Sequence, residues 1–329
     1  MTSEFTVASV EQYFGFRSNW ITTRAGERIH YLDEGNKNGI PVIMLHGSAI
    51  GITAAANFYL TIPALVEADF RAIAPDLYGY GWTEAPEGVR AVRTDQVDQI
   101  CRLMETLGLE SAYLIGNSLG GMITTSMSLW HPQKVRGNIV IGTGGARWEH
   151  GSRFESNPSS RSMPEAYSRE VVLRSMEHLV SNPEFLPEKL LEYRIQMAER
   201  PGAWERYREA TQQREEAKRT HPFDEALAQK SSVPTLFIFG KDDRVNPPED
   251  ALAGAEAFQH ADLIVFGHCG HWTMIERAED FNALMVRFIQ GYDKRIVTPG
   301  KPGVPRASCS PQDKQGIQNP VLSPAGIKA

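Results

Sequence analysis

Ala112-Tyr-Leu-Ile-Gly116-Asn-Ser-Leu-Gly120-Gly121 decides the fold. An apolar run enters it, two glycines bracket Asn117, Ser118 and Leu119, and a helix-compatible run, Leu119 to Leu129, leaves it. A short apolar run bounded by glycine suits a strand buried on both faces. The spacing G-x-S-x-G between such a strand and a helix puts the serine on a tight turn with its hydroxyl exposed. The flanking glycines are needed because a Cβ there would clash where strand and helix approach. The helix start also offers backbone N–H groups to a developing negative charge. Read alone, the pattern also fits a glycine-rich connection that does no chemistry.

Working outward, similar apolar runs recur. Trp20-Ile-Thr-Thr and Arg28-Ile-His-Tyr-Leu flank Arg24-Ala-Gly-Glu and read as a β-hairpin. Pro41–Leu45, Phe70–Ala74, Asn138–Gly142, Pro234–Gly240 and Asp262–Phe266 read as further strands. Amphipathic stretches such as Thr94 to Leu107 and Glu279 to Ile289 lie between them. This alternation predicts an α/β fold, a mostly parallel sheet flanked by helices. It breaks between about Ala146 and Lys230, where Arg and Glu are dense and no strand-like run occurs. The expected organisation is a first core part over 1–145, a helical lid over 146–230, a second core part over 231–291, and a disordered Pro-rich tail over 292–329.

Of the 329 residues 41% are hydrophobic and 22% charged, which excludes a mainly disordered chain and supplies a large core. The net charge of −6 comes from interspersed residues, so no nucleic acid or anionic membrane surface is expected as a partner. No run reaches the ~18 apolar residues of a membrane span. The start, Met1-Thr-Ser-Glu-Phe-Thr-Val, has no signal-peptide pattern. Cys101, Cys269 and Cys309 make no disulfide framework. A cytoplasmic location and a small-molecule substrate follow as expectations, and a homo-oligomer stays compatible with them.

A serine hydroxyl is a weak nucleophile until a base takes its proton, and that base is a histidine oriented by a carboxylate. In this architecture the order is serine, acid, histidine, each on a loop after a strand. Gly240-Lys-Asp-Asp-Arg-Val-Asn-Pro247 offers Asp242 and Asp243, with Asp243 at the acid position of G-x-x-D-x-x-x-P. Gly267-His-Cys-Gly-His-Trp272 offers His268 and His271, and glycine before His271 favours that residue. His268, Cys269 and His271 could also be read as metal ligands, but the sequence holds no second ligand cluster. His46-Gly-Ser-Ala49 follows an earlier strand, so a backbone N–H there, assigned to Ala49, and that of Leu119 are the expected oxyanion donors. Asp76 reads as a turn-stabilising residue.

Together these residues resemble the α/β-hydrolase superfamily over roughly 20 to 291, and within it the meta-cleavage product hydrolases. Those enzymes split a carbon–carbon bond in 2-hydroxy-6-oxo-hexa-2,4-dienoates. The likeness is carried by Leu45-His-Gly-Ser48 with Ala56-Asn57-Phe58, Gly116-Asn-Ser-Leu-Gly-Gly121, Asp243-Arg-Val-Asn-Pro247, Cys269-Gly-His-Trp272 and Glu192-Tyr-Arg194. The resemblance implies an α/β-hydrolase fold with an inserted helical lid and a triad of Ser118, Asp243 and His271. It implies substrate contacts from Ser48, Asn57, Asn117, Arg194 and Trp272, and no metal or organic cofactor. Ala49-Ile50 stand where the family has a glycine–proline pair, so a positive φ at Ala49 would be strained. The alternative activity for the same triad is that of a carboxylesterase or lactonase. A non-hydrolytic member, a cofactor-free oxygenase or a ligand-binding receptor on the same scaffold, is a third.

Overall fold

The computed structural model describes residues 6, 8–144, 166–217 and 225–297. Its strands are β1 (Ser18–Thr22), β2 (Arg28–Gly35), β3 (Pro41–Leu45), β4 (Arg71–Pro75), β5 (Ala112–Asn117), β6 (Val135–Ile141), β7 (Thr235–Gly240) and β8 (Ala261–Phe266). They form one sheet in the order β1-β2-β4-β3-β5-β6-β7-β8. The hairpin β1–β2 and the β2–β4 pair are antiparallel, and every other pair is parallel. All residues of β5 and β7 are buried, as expected of central strands covered on both faces.

The helices in chain order are α1 (Ala8–Phe14), α2 (Ala54–Phe58), α3 (Thr61–Glu67), α4 (Arg93–Thr106), α5 (Leu119–Trp130), α6 (Arg169–His178), α7 (Glu188–Ala198), α8 (Ala203–Ala217), α9 (Glu225–Lys230), α10 (Pro248–Ala257), α11 (Thr273–Glu276) and α12 (Ala278–Val297). The chain leaves β3 toward β4 on one side, and β5 lies on the other. The loops after β3 and β5 therefore diverge and open a crevice at the carboxyl ends of the strands, where open α/β sheets bind ligands.

Helices α6 to α9 lie between β6 and β7. They fall in the stretch read as a helical lid, of which 146–165 and 218–224 are outside the described residues. Helix α7 anchors on the unexpected α1, where Tyr193 meets Phe14 and Tyr13 edge-on with ring centroids 4.8 and 5.3 Å apart.

The boundary at 291 needs correction. Helix α12 runs on to Val297, so the start of the stretch expected to be disordered is helical. Its apolar face continues past Ile289: Tyr292 packs on Phe288 at 4.8 Å, and Asp293 pairs with Arg136 at 3.4 Å. The first proline able to stop it is Pro299. Residues 298–329 lie outside the described residues.

Candidate active site

Ser118 sits between β5 and α5 with φ 52° and ψ −111°, a strained conformation for a residue with a Cβ. The turn is tight because its glycines touch neighbouring backbone. A Cβ on Gly116 would lie 2.3 Å from the Gly120 carbonyl oxygen, and one on Gly120 would lie 2.0 Å from that of Leu45. The Ser118 N–H donates to the Ile141 carbonyl at 2.8 Å, which fastens the turn to the end of β6. The first N–H groups of a helix have no intrahelical acceptor, and Leu119 opens α5.

Asp243 and His271 meet in a buried hydrogen bond, with Nδ1 and Oδ2 2.8 Å apart. The carboxylate accepts, so Nδ1 carries a proton. The other Asp243 oxygen accepts from the N–H groups of Val245 and Asn246 at 2.8 and 2.9 Å. Asn246 Nδ2 donates to the Gly142 carbonyl at 2.6 Å. A Cβ on Gly142 would meet His271 Nδ1 at 2.8 Å, so the imidazole lies on the strand end that also holds Ser118. No hydrogen bond joins the Ser118 hydroxyl to His271 here; such bonds often tighten only around substrate. Asp242 and His268 are exposed. Glu276 binds the histidine loop to the inserted helices, accepting from Gly270 N–H at 2.7 Å and Ser181 N–H at 2.8 Å.

The loop after β3 is held from below. His46 Nδ1 donates to the Gly47 carbonyl at 2.7 Å and its Nε2 accepts from Leu77 N–H at 3.0 Å. Burial holds its pKa below the usual histidine value, in keeping with that neutral tautomer. Gly47 N–H is taken by Asn57 Oδ1 at 3.0 Å. That leaves the N–H groups of Ser48 and Ala49 as the next donors along the loop. The positive φ falls on Gly51 (+69°) and not on Ala49, so Ala49 is unstrained. Gly51 is indispensable in that place, because a Cβ would lie 2.2 Å from the Arg194 carbonyl oxygen. Asp76 does stabilise a turn: it accepts from Ala54 N–H, Trp82 N–H and His30.

Arg194 on α7 is fully buried. One nitrogen, Nη2, donates to the Ile50 carbonyl at 2.7 Å, while Nε and Nη1 have no partner among the described residues. Its guanidinium stands 5.5 Å from the Trp272 ring centroid. Burial lowers its pKa to about 10, so it stays charged at neutral pH. Asn57 Nδ2 and Asn117 Oδ1 are likewise buried without partners among the described residues, and a Cβ on Gly47 would lie 3.0 Å from Asn117 Oδ1. Ser48 accepts from Arg214 Nη1 on α8 at 2.6 Å and from the Tyr80 hydroxyl at 2.9 Å. Sequence reading missed Tyr80, Arg214, Asn246 and Glu276. Two had a local signal: Asn246 in Asp243-Arg-Val-Asn-Pro247, and Glu276 as the carboxylate closing Gly270-His-Trp-Thr-Met-Ile-Glu276. Among the described residues no group of three His, Cys, Asp or Glu side chains is gathered as a metal site requires. Among the same residues no helix is long and apolar enough to cross a membrane.

The alpha/beta hydrolase family model matches residues 42–284. The chain belongs to that family and is a hydrolase. It is 31% identical over 283 residues to the 2-hydroxymuconate semialdehyde hydrolase of Pseudomonas sp. (strain CF600), covering 83% of this chain and 94% of that protein. It is 30% identical over 264 residues to the 2-hydroxy-6-oxo-2,4-heptadienoate hydrolase of Pseudomonas putida, covering 78% of this chain and 91% of that one. Among solved structures it resembles the meta-cleavage product hydrolase of Pseudomonas fluorescens IP01, a serine-to-alanine mutant complexed with acetates. That match has TM-score 0.72 and 30% identity, over 83% of this chain and 97% of the other.

Proposed function

We propose that this hydrolase cleaves the C5–C6 bond of a 2-hydroxy-6-oxo-hexa-2,4-dienoate in aromatic compound breakdown, with Ser118, His271 and Asp243 as its triad. The observation that carries the reading is Arg194. A fully buried guanidinium with two unpartnered nitrogens is costly unless an anion completes it. A dienoate carboxylate does so in bidentate fashion, whereas a neutral ester has no use for it. The relatives named for dienoate hydrolysis support the same substrate class.

Asn57, Asn117 and Trp272 hold the carboxylate and 2-oxygen end beside Arg194. Ketonisation takes a proton from the 2-hydroxyl and places one on C5, with Nε2 of His271 as the carrier. Asp243 keeps the imidazole in the tautomer that can accept it. The Ser118 hydroxyl, or a water in its place, then adds to the C6 carbonyl. The oxygen that becomes negative is met by the N–H groups of Leu119 and Ala49. When the C5–C6 bond breaks, its electron pair returns to the dienol. Net addition of water leaves a carboxylic acid from C6 and a 2-hydroxydienoate with one more hydrogen on C5. No metal or cofactor enters the scheme. A cytoplasmic place belongs to this reading and suits the buried free thiols of Cys101 and Cys269.

The test uses the yellow dienoates. The protein should bleach their visible absorbance, and Ser118→Ala should abolish bleaching. Arg194→Gln should lower kcat/KM on the dienoate about 10- to 100-fold while aryl ester turnover changes less than about twofold. No bleaching with any C6 substituent rejects the reading. Fast ester turnover indifferent to Arg194 assigns the triad to a carboxylesterase or lactonase.

A further inference from the structure

Arg214 lies 166 residues from Ser48 in sequence, on α8 of the inserted helices. Its Nη1 carries two hydrogens and faces two oxygens, Ser48 Oγ at 2.6 Å and the Tyr80 hydroxyl at 2.7 Å. Tyr80 donates to Ser48 Oγ at 2.9 Å, closing a triangle. Among the described residues no carboxylate pairs with Arg214. The neighbouring lid arginines are spent otherwise: Arg200 lies 3.5 Å over the Trp82 ring and donates to the Gly81 carbonyl, and Arg206 donates to the Pro201 carbonyl.

With Tyr80 as the donor to Ser48 Oγ, the count of donors and acceptors leaves one hydrogen, that of Ser48, outside the triangle. A hydroxyl oxygen has two acceptor sites and one hydrogen. Both acceptor sites of Ser48 are filled, one by a cation. Its hydrogen then points away from the triangle, and among the described residues no acceptor takes it. Ser48 is only partly buried, and it follows Gly47, where a Cβ would lie 3.4 Å from Ser118 Cβ. A hydroxyl that accepts from a guanidinium is also a stronger donor than a free serine.

We infer that Arg214 is a positioning residue: through Tyr80 and directly, it fixes and polarises the Ser48 hydroxyl as an additional donor to the oxygen that becomes negative at Ser118. This rests on the proposed hydrolytic role of Ser118. It makes oxyanion stabilisation depend on how the inserted helices are seated, because the cation comes from α8 and the hydroxyl from the core. A donor fixed before the reaction needs no reorganisation during it, so the effect falls on kcat.

The experiment is a double-mutant cycle on the dienoate with Ser48→Ala and Arg214→Gln. Each single change should lower kcat about 10- to 100-fold with KM within about twofold. The double variant should be no worse than Ser48→Ala alone, since Arg214 then has nothing to polarise. Tyr80→Phe should cost less, because the direct Arg214–Ser48 bond survives. Arg214→Lys should recover part of the loss and serves as the probe if Arg214→Gln does not fold. Additive losses, or a KM increase confined to substrates with a carboxylate on the C6 substituent, overturn the inference. The latter would make Arg214 a substrate anion contact. An active Ser118→Ala would instead overturn the functional reading beneath it.

Discussion

The molecule contains two buried histidine–aspartate pairs of nearly the same geometry. His271 Nδ1 lies 2.8 Å from Asp243, and His30 Nδ1 lies 2.9 Å from Asp76. Both imidazoles are almost fully enclosed. The difference is what surrounds each. His30 stands edge-on to the Trp20 ring with centroids 5.2 Å apart, and its Nε2 is sealed without a partner among the described residues. Asp76 spends its remaining capacity on the Ala54 and Trp82 N–H groups, which fold the chain around it. His271 instead leans on Gly142, next to the Ile141 carbonyl that holds the Ser118 turn. A histidine–carboxylate bond is thus not a catalytic signature by itself. The place of His271 beside the Ser118 turn separates the proposed catalytic pair from a structural one.

The sharpest way to break this contrast is to remove one imidazole at a time. His271→Gln should reduce kcat at least about 10³-fold with little change in melting temperature. His30→Gln should leave kcat within about threefold and lower the melting temperature. Comparable kcat losses in the two variants would abolish the distinction. Changing the carboxylates sharpens it further. Asp243→Asn should fold and lose roughly 10³- to 10⁴-fold in kcat by favouring the wrong tautomer. Asp76→Asn should cost about 2–4 kcal/mol of stability by disrupting a buried network, read from denaturant midpoints, with activity following the folded fraction.

The smallest expected effect concerns acid. Burial holds the His46 pKa below its unfolded value, so the folded protein resists a proton that the unfolded chain accepts as pH falls through about 6.5. Stability is therefore full above that pH and declines below it. Burial pushes the Asp76 carboxyl upward, but its interactions with His30 and the Ala54 N–H outweigh that, leaving the pKa lowered. Its contribution persists above about pH 4 and is lost at lower pH. Melting temperature should fall in two stages from pH 7 downward, and His46→Gln should remove the upper stage. A melting temperature that is flat between pH 7 and 5 would refute this.

The sheet was legible because buried strands are short apolar runs between glycines and prolines, and each run named from sequence lies in or overlaps a strand. The Ser118 turn was legible because strand, glycines and helix are contiguous. Arg214, Tyr80 and Ser48 were not legible as a unit, since each alone is an ordinary surface-type residue and only the docking of α8 brings them together. Likewise, the expectation of strain at Ala49 failed because the loop turns two residues later, at Gly51, where Arg194 approaches most closely. The last helix outran its expected end because the tertiary contact of Asp293 with Arg136 is invisible in local composition.

The backbone of Ser118, at φ 52° and ψ −111°, carries a further implication. A glycine there would relax about 1–3 kcal/mol of conformational discomfort and delete the hydroxyl in the same stroke. On the role proposed for Ser118, endurance and reactivity pull on this one residue in opposite directions, so any programme of thermal hardening must begin by exempting it.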